Sequence, residues 1–171
     1  MPDVEYIARM DSDDISLDNR LETQVAFMQT NPDISLCGSS VETFSSGKSK
    51  IMTYPCHNEA IKYTMLFYCC LAHPTMMFKR AFFEANSYTD GRLEDYLLWI
   101  SLIHDESIRF SNIGSVLLRL RKHPGNVSKH TQIDDSEVRC KREFLKLKFG
   151  IEVTDEVVSD FIQVTGRSLK N

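Results

Sequence analysis

Short apolar runs alternate along the chain with segments whose apolar positions recur at helical spacing, and the two periodicities lay out the elements in order. Tyr6 to Met10 is an apolar-rich run that stops at the polar stretch Asp11 to Asp14, as a buried strand does when its end opens onto a site. Beyond Ser16, which reads as an N-cap, Leu21, Val25 and Met28 repeat at helical spacing until Asn31 and Pro32 stop the helix. Ile34 to Val41 reads as a strand, and the polar run SSGKSK at 45–50 as the tip of a hairpin or a mobile loop. Asn58 or His57 caps a second helix reaching about Cys70, with Ile61, Met65 and Tyr68 along one face. His73 to Lys79 is a further strand, followed by a helical piece at Ala81 to Ala85 and the turn-rich NSYTDGR. Glu94 to His104 predicts a well-buried helix with Glu94 and Asp95 in its first turn; Ile108 to Ile113 and Val116 to Arg121 predict two strands. The tail is helical: Asp135 to Phe149 closes at Gly150, and Thr154 caps a last helix ending near Gly166. Strands and helices alternate, so the predicted class is α/β.

Composition narrows this picture. The 171 residues, 42% hydrophobic and 26% charged, suffice for one buried core. With 24 acidic against 20 basic side chains the net charge is -4, which supplies no broad basic field and implies no nucleic-acid partner. The longest apolar stretch, TMLFYCCLA, falls well short of the roughly 20 residues of a membrane-spanning helix. MPDVEYIARMDSDD shows no charged leader followed by an apolar run, so neither a secretory signal nor an anchor is expected. The five scattered cysteines suit a reducing compartment, and the expected location is cytoplasmic, with peripheral membrane attachment allowed. A zinc site from Cys56, His57, Cys69, Cys70 and His73 lacks a Cys-x-x-Cys pair; buried thiols on an apolar helix are the simpler account. Asn126-Val127-Ser128 spells a glycosylation sequon that matters only in a secreted chain.

Candidate chemistry lies in two acidic groups. Asp11, Asp13 and Asp14 crowd three carboxylates at a strand terminus, a repulsive arrangement unless a positive charge sits among them. Magnesium or manganese takes hard oxygen ligands and is held by one or two carboxylates while substrate phosphates complete its shell, so an Asp-x-Asp there suits a nucleotide diphosphate. A solvated acidic turn is the plain alternative. A calcium loop from Asp11, Asp13 and Glu22 fails because Ile15 stands where a ligand is needed and Ser16 where the sharp turn wants glycine. Glu94 and Asp95 form the second group, read either as helix capping or as a general base that takes a proton from an attacking hydroxyl. His123 follows Arg119, Arg121 and Lys122, so its imidazole can bind a metal while the cations meet phosphate, or it is a surface histidine in a basic loop. His73, before Pro74, stabilises a turn or borders an acceptor pocket and is assigned no chemistry.

Together these segments resemble family 2 glycosyltransferases of the GT-A fold. YIARMDSDDISLDNRLETQVAFMQTNPDI is similar to the family's strand, Asp-x-Asp motif and following helix. HPTMMFKRAFF, LEDYLLWISL and LLRLRKHPGNVS resemble its later blocks in the same order, so that Tyr6 to His130 is covered. The resemblance implies a mixed sheet flanked by helices, a catalytic portion at 1–130 and a helical extension at 131–171. It implies transfer of a hexosyl or N-acetylhexosaminyl group, with inversion, from a nucleotide-sugar, a UDP-sugar being favoured, to a glycan or other hydroxyl. Asp13 would be the main ligand of Mn2+ or Mg2+, Asp11 would contact the donor or the ion, and His123 would help hold the metal or diphosphate. Arg121 would contact the donor, Asp95 would be the base, and Glu94 would shape the acceptor site. Leu120, Asn86-Ser87 and Asp18 stand where the family usually has tyrosine, Gly-Gly and proline. The family's nucleotide-binding half normally precedes the Asp-x-Asp strand, and only about ten residues precede it here. The expectation is therefore a fragment, a truncated product or a non-catalytic remnant serving as an interaction domain.

Overall fold

A computed structural model describes residues 4–88, 92–123 and 135–168, with side chains through Thr165. The spine of the molecule is β3 (Leu36–Ser45), whose first six residues are buried, as a strand covered on both faces requires. It runs parallel to β6 (Phe110–Arg121), in register from Leu36 opposite Phe110 to Phe44 opposite Arg121. Along its other edge lie two antiparallel partners in succession. Met77–Lys79 (β5) pairs at Leu36 and Cys37, and Lys48–Met52 (β4) pairs from Val41 to Ser45 through a tight turn whose Gly47 sits at φ 74°. Tyr6–Ala8 (β1) adds antiparallel to β5, and the two-residue Ile15–Ser16 (β2) to β6. The order is β1-β5-β3-β6-β2, a mixed sheet flanked by helices and so the α/β class expected.

Two expected strands prove to be one. Gly114 and Ser115 have no partner opposite Ser39 and Ser40; β6 absorbs them as an irregularity and carries on to Arg121. Opposite this region Gly38 is the only residue that fits. A Cβ there would stand 2.5 Å from Asn112 Oδ1 and 3.0 Å from both Met76 Sδ and Thr75 Oγ1.

The helices are α1 (Arg20–Thr30), α2 (Asn58–Thr64), α3 (Arg80–Ala85), α4 (Glu94–Leu102), α5 (Asp135–Phe149) and α6 (Asp155–Ser168), with a 3-10 turn at His73–Thr75. In α1 the spacing of Leu21, Val25 and Met28 gives the inward face in part: Met28 is buried with Val25 packed beside it, but Leu21 is 55% exposed and Arg20 and Gln24 are buried instead. The helix covers a junction of backbone carbonyls, and polar side chains satisfy them where leucines could not. The cap is Asn19 rather than Ser16. The second helix ends at Thr64, short of Cys70, and Tyr68 lies at the surface, so Cys69 and Cys70 occupy an irregular segment rather than an apolar helix. All five cysteines are free.

The main core joins α4 to the sheet, with Trp99, Ile100, Leu36, Phe78 and Phe110 buried together. The tail contributes Cys140 and Phe144 of α5 to this same core. Lys141 is 1% exposed and donates from Nζ to the Phe67 carbonyl at 2.7 Å and the Tyr96 hydroxyl at 3.1 Å, while Tyr96 donates to the Met65 carbonyl. Val158 and Ile162 of α6 close over Val138. Gly150 ends α5 at φ 67°, and Thr154 Oγ1 accepts the Val157 N–H at 3.4 Å at the start of α6. Among the described residues no helix is long and apolar enough to cross a membrane. The expected loop and sequon at 124–130 and the expected segment boundary at 130–131 lie outside the described residues.

Candidate functional site

The chain leaves β1 at Ala8 and turns through Asp11 to Asp14 before β2 returns it to the sheet. Two contacts with β6 fix that turn. The Arg121 N–H donates to Asp14 Oδ1 at 2.8 Å, and Arg121 Nε donates to the Asp13 carbonyl at 2.9 Å. The Arg121 guanidinium also lies over the Phe44 ring, as does that of Arg119. The expected donor-binding arginine is thus placed against the acidic turn's own backbone. Asp14 is nearly buried, and its Oδ2 has no hydrogen-bond partner among the described residues. Burial raises its pKa, Asp13 and Asp11 add to the rise, and the Arg121 N–H opposes it.

Asp13 and Asp11 face outward from this anchor. Asp13 Oδ2 stands 3.0 Å from His123 Nε2, and Asp11 Oδ1 pairs with Arg9 at 2.5 Å. The donor set at Asp13 fits a magnesium or manganese ion: one hard carboxylate oxygen, one imidazole nitrogen, and a spacing that matches two adjacent ligands on an octahedral ion with bonds of about 2.1 Å. Protein donors of this number leave room for phosphate oxygens.

The second acidic pair opens α4. Leu93 turns the chain into the helix in the left-handed region at φ 58°, and Glu94 and Asp95 occupy its first turn. Burial pushes the Asp95 carboxyl up to about 6, with Glu94 adding to the rise; the Tyr96 N–H, its own N–H and Arg9 oppose it. A residue that sequence reasoning left without a role stands beside it. His73 Nδ1 lies 4.0 Å from Asp95 Oδ2, and His73 Nε2 lies 2.8 Å from the Tyr88 hydroxyl. The ring also meets the edge of Trp99, one turn beyond Asp95. Burial lowers His73 to about 4, and Arg9 lowers it further against the pull of Asp11. Among the described residues, His73, Glu94 and Asp95 are the one trio of His, Cys, Asp or Glu whose ligand atoms all lie within 4.8 Å of one another. The imagined cysteine zinc site is therefore not gathered.

The two acidic groups are tied together from behind and in front. Behind them, Arg20 donates to Gln24 Oε1 at 2.9 Å and to the Arg9 carbonyl at 2.6 Å, and Gln24 donates to the Thr75 carbonyl at 2.8 Å and the Cys37 carbonyl at 3.3 Å. One buried polar face of α1 thus fastens the start of the acidic turn to the turn bearing His73. The Arg9 N–H completes the link by donating to the Met76 carbonyl at 2.9 Å. In front, the Arg9 side chain pairs with Asp11 while its charge reaches His73, Tyr88 and Asp95. The antiparallel pairing of β1 with β5 helps bring His73 here, and no local sequence signal encodes that pairing. A cavity of about 280 Å³ lined by Phe27, His57, Arg109 and Asn112 lies elsewhere, at the starts of β3 and β6. Ligands of open α/β sheets bind at the opposite, carboxyl ends of parallel strands, which is where β6 meets Asp13 and Asp14.

No family model matches the chain. It is similar to several proteins named as glycosyltransferases. The O-antigen biosynthesis glycosyltransferase WbnJ of Escherichia coli is 38% identical, over 82% of this chain and 57% of its own length. An uncharacterized glycosyltransferase of Haemophilus influenzae is 30% identical, over 88% of this chain and 57% of its own. The UDP-Gal:alpha-D-GlcNAc-diphosphoundecaprenol beta-1,3-galactosyltransferase of Escherichia coli is 27% identical, over 96% of this chain and 62% of its own. The chain thus spans less than two thirds of each of these relatives.

Proposed function

We propose that this chain is the metal-binding and base-bearing portion of a glycosyltransferase of family 2 and GT-A type, moving a sugar from a nucleotide-sugar to an acceptor hydroxyl with inversion. The observation that carries the reading is one cationic side chain, Arg9, placed between two carboxylate groups of opposite character. One group is outward-facing with a histidine beside it, and the other is desolvated at a helix start. Similarity to named glycosyltransferases over most of the chain supports the same class, and the UDP-Gal in one relative's name supports a UDP-sugar as donor.

In this reading Asp13 and His123 hold the divalent ion, which when bound supplies positive charge for the departing diphosphate. Asp11 meets the donor from the same turn, and Glu94 lines the acceptor side. Asp95 takes the proton of the acceptor hydroxyl as that oxygen attacks the anomeric carbon. A carboxyl held near 6 is a stronger base than an ordinary aspartate and is still ionised at neutral pH. A single base without a second nucleophile accords with inversion. Asp14 and Arg121 hold the turn in place.

Calorimetry of the full-length transferase with Mn2+ and UDP tests the reading. UDP binding is expected to depend on Mn2+ and to weaken at least tenfold in Asp13→Ala, with the thermal transition unchanged. A non-catalytic interaction domain of the same fold predicts no binding in either protein, and that outcome would replace the proposal.

A further inference from the structure

The Asp95 carboxylate is not held by its helix alone. On the side of the imidazole it faces His73 Nδ1 at 4.0 Å, and that ring is fixed on every edge. Its backbone belongs to a 3-10 turn in which the Thr75 hydroxyl donates to the Ala72 carbonyl at 2.7 Å and accepts the Ser39 N–H at 3.1 Å. Gln24 clamps the same turn from α1, and Trp99 blocks the ring from the core side. The remaining polar edge, Nε2, lies 2.8 Å from the Tyr88 hydroxyl, and the two rings sit 5.2 Å apart between centroids.

A neutral imidazole carries one ring proton, and its partners decide which nitrogen has it. A carboxylate can only accept, so the proton is useful on Nδ1, which faces Asp95. Nε2 is then an acceptor, and the only species that can serve it is a donor such as the Tyr88 hydroxyl. Burial and Arg9 hold the imidazole neutral against the nearby carboxylates of Asp11, Glu94 and Asp95. A gap of 4.0 Å is longer than a hydrogen bond and is closed by a small side-chain rotation or spanned by one water molecule.

We propose that Tyr88 and His73 are positioning residues for the base: the tyrosine hydroxyl donates to Nε2, which fixes the ring proton on Nδ1, and Nδ1–H orients Asp95 Oδ2 so that the other oxygen faces the acceptor hydroxyl. The inference rests on the reading of Asp95 as the base. The proton balance is simple. The acceptor's proton goes to Asp95, the His73 proton stays on Nδ1, and the Tyr88 proton stays on its oxygen throughout.

The test has two arms that fail separately. In the full chain labelled with 15N-histidine, long-range proton–nitrogen correlation at neutral pH reads the ring tautomer, with His73→Asn identifying the signal. The expected result is a neutral His73 protonated on Nδ1, shifting toward the Nε2 form in Tyr88→Phe. An Nε2-protonated or cationic His73 overturns the proposal whether or not the chain proves to be a transferase. Tyr88 is 37% exposed, so its substitution leaves the core untouched. In the full-length transferase, the amide of His73→Asn places a donor where Nδ1 stands, whereas that of His73→Gln places it at Nε2. The asparagine variant is expected to keep kcat within about threefold and the glutamine variant to lose at least tenfold, with donor KM unchanged in both. Equal losses in the two variants, or a loss confined to KM, overturn it.

Discussion

The two carboxylate groups are built from the same residue types and behave as opposites. Asp11 and Asp13 sit on a turn held by the Arg121 guanidinium and N–H of β6, their side chains about two fifths exposed and paired with Arg9 and His123. Asp95 sits at the start of a buried helix, its side chain 21% exposed, beside an imidazole that burial keeps neutral. An accessible carboxylate with a nitrogen partner suits a cation and phosphate. A carboxylate stripped of water suits a proton, because desolvation raises its affinity for one. The division of labour follows from position: one group ends a sheet strand, the other opens a helix inside the core.

The largest effect should come from abolishing the proton-accepting half of that contrast. Asp95→Asn is close to isosteric and keeps the helix-start contacts, so the protein is expected to fold, with a thermal transition at neutral pH no lower than that of wild type. In the full-length transferase kcat should fall by about 10²–10⁴, the usual contribution of a general base, while Mn2+-dependent UDP binding stays as in wild type. In the unsubstituted protein kcat should rise with pH through about 6, following ionisation of Asp95. Turnover retained in Asp95→Asn would leave the two acidic groups with no difference in function.

A second way to break the comparison is to cut the link that aligns the groups. Gln24 is fully buried and bonds the Thr75 and Cys37 carbonyls, with Arg20 bonded to its own carbonyl oxygen. Gln24→Leu keeps the volume and orphans these groups, which should cost about 3 kcal/mol from the desolvation of unpaired buried polar atoms. Chemical denaturation reads this directly, with the slope unchanged. A loss below about 1 kcal/mol would mean that the polar face of α1 does not hold the two turns together.

How much of this was legible in the chain depends on whether the signal was local. The helix closing at Gly150, the hairpin tip around Gly47, the cap at Thr154 and the acids at a strand's end all follow from neighbours in sequence. The polar part of α1's inward face did not, because hydrophobic spacing finds Val25 and Met28 but assumes that a helix buries apolar side chains, and this one also buries Arg20 and Gln24. β2 escaped notice because two residues carry no periodicity, and β6 was divided at Gly114 because a break in alternation looks the same for a bulge as for a loop. Glu94, Asp95, Asp13 and His123 could be named as candidates from residue type. His73 and Tyr88 could not, since their meaning comes from the pairing of β1 with β5 and from a ring proton that only three-dimensional neighbours fix.

The smallest expected effect is the most specific to the Asp95 side of the comparison. The carboxyl is raised to about 6 by burial, so between about pH 4 and 6 the folded protein holds a proton on Asp95 that the unfolded chain has lost, and stability falls as pH rises. His73 is lowered to about 4 by burial, so over the same interval the unfolded chain holds a proton that the folded protein lacks, and stability rises with pH. At pH 5 the folded pair is a neutral acid beside a neutral imidazole, and the unfolded pair is a carboxylate and an imidazolium. The proton count is the same, so the pair contributes almost no slope to wild-type stability. Removing either member should expose the other. Relative to wild type, Asp95→Asn should gain roughly 2 kcal/mol of stability from pH 4 to 6, and His73→Asn should lose a similar amount. Urea titrations at half-unit pH steps read both differences, and common titrations elsewhere cancel in the subtraction. Two variants with parallel curves would show that the pair does not exchange protons with solvent in this range, and Asp95 would lose the property that sets it apart as a base.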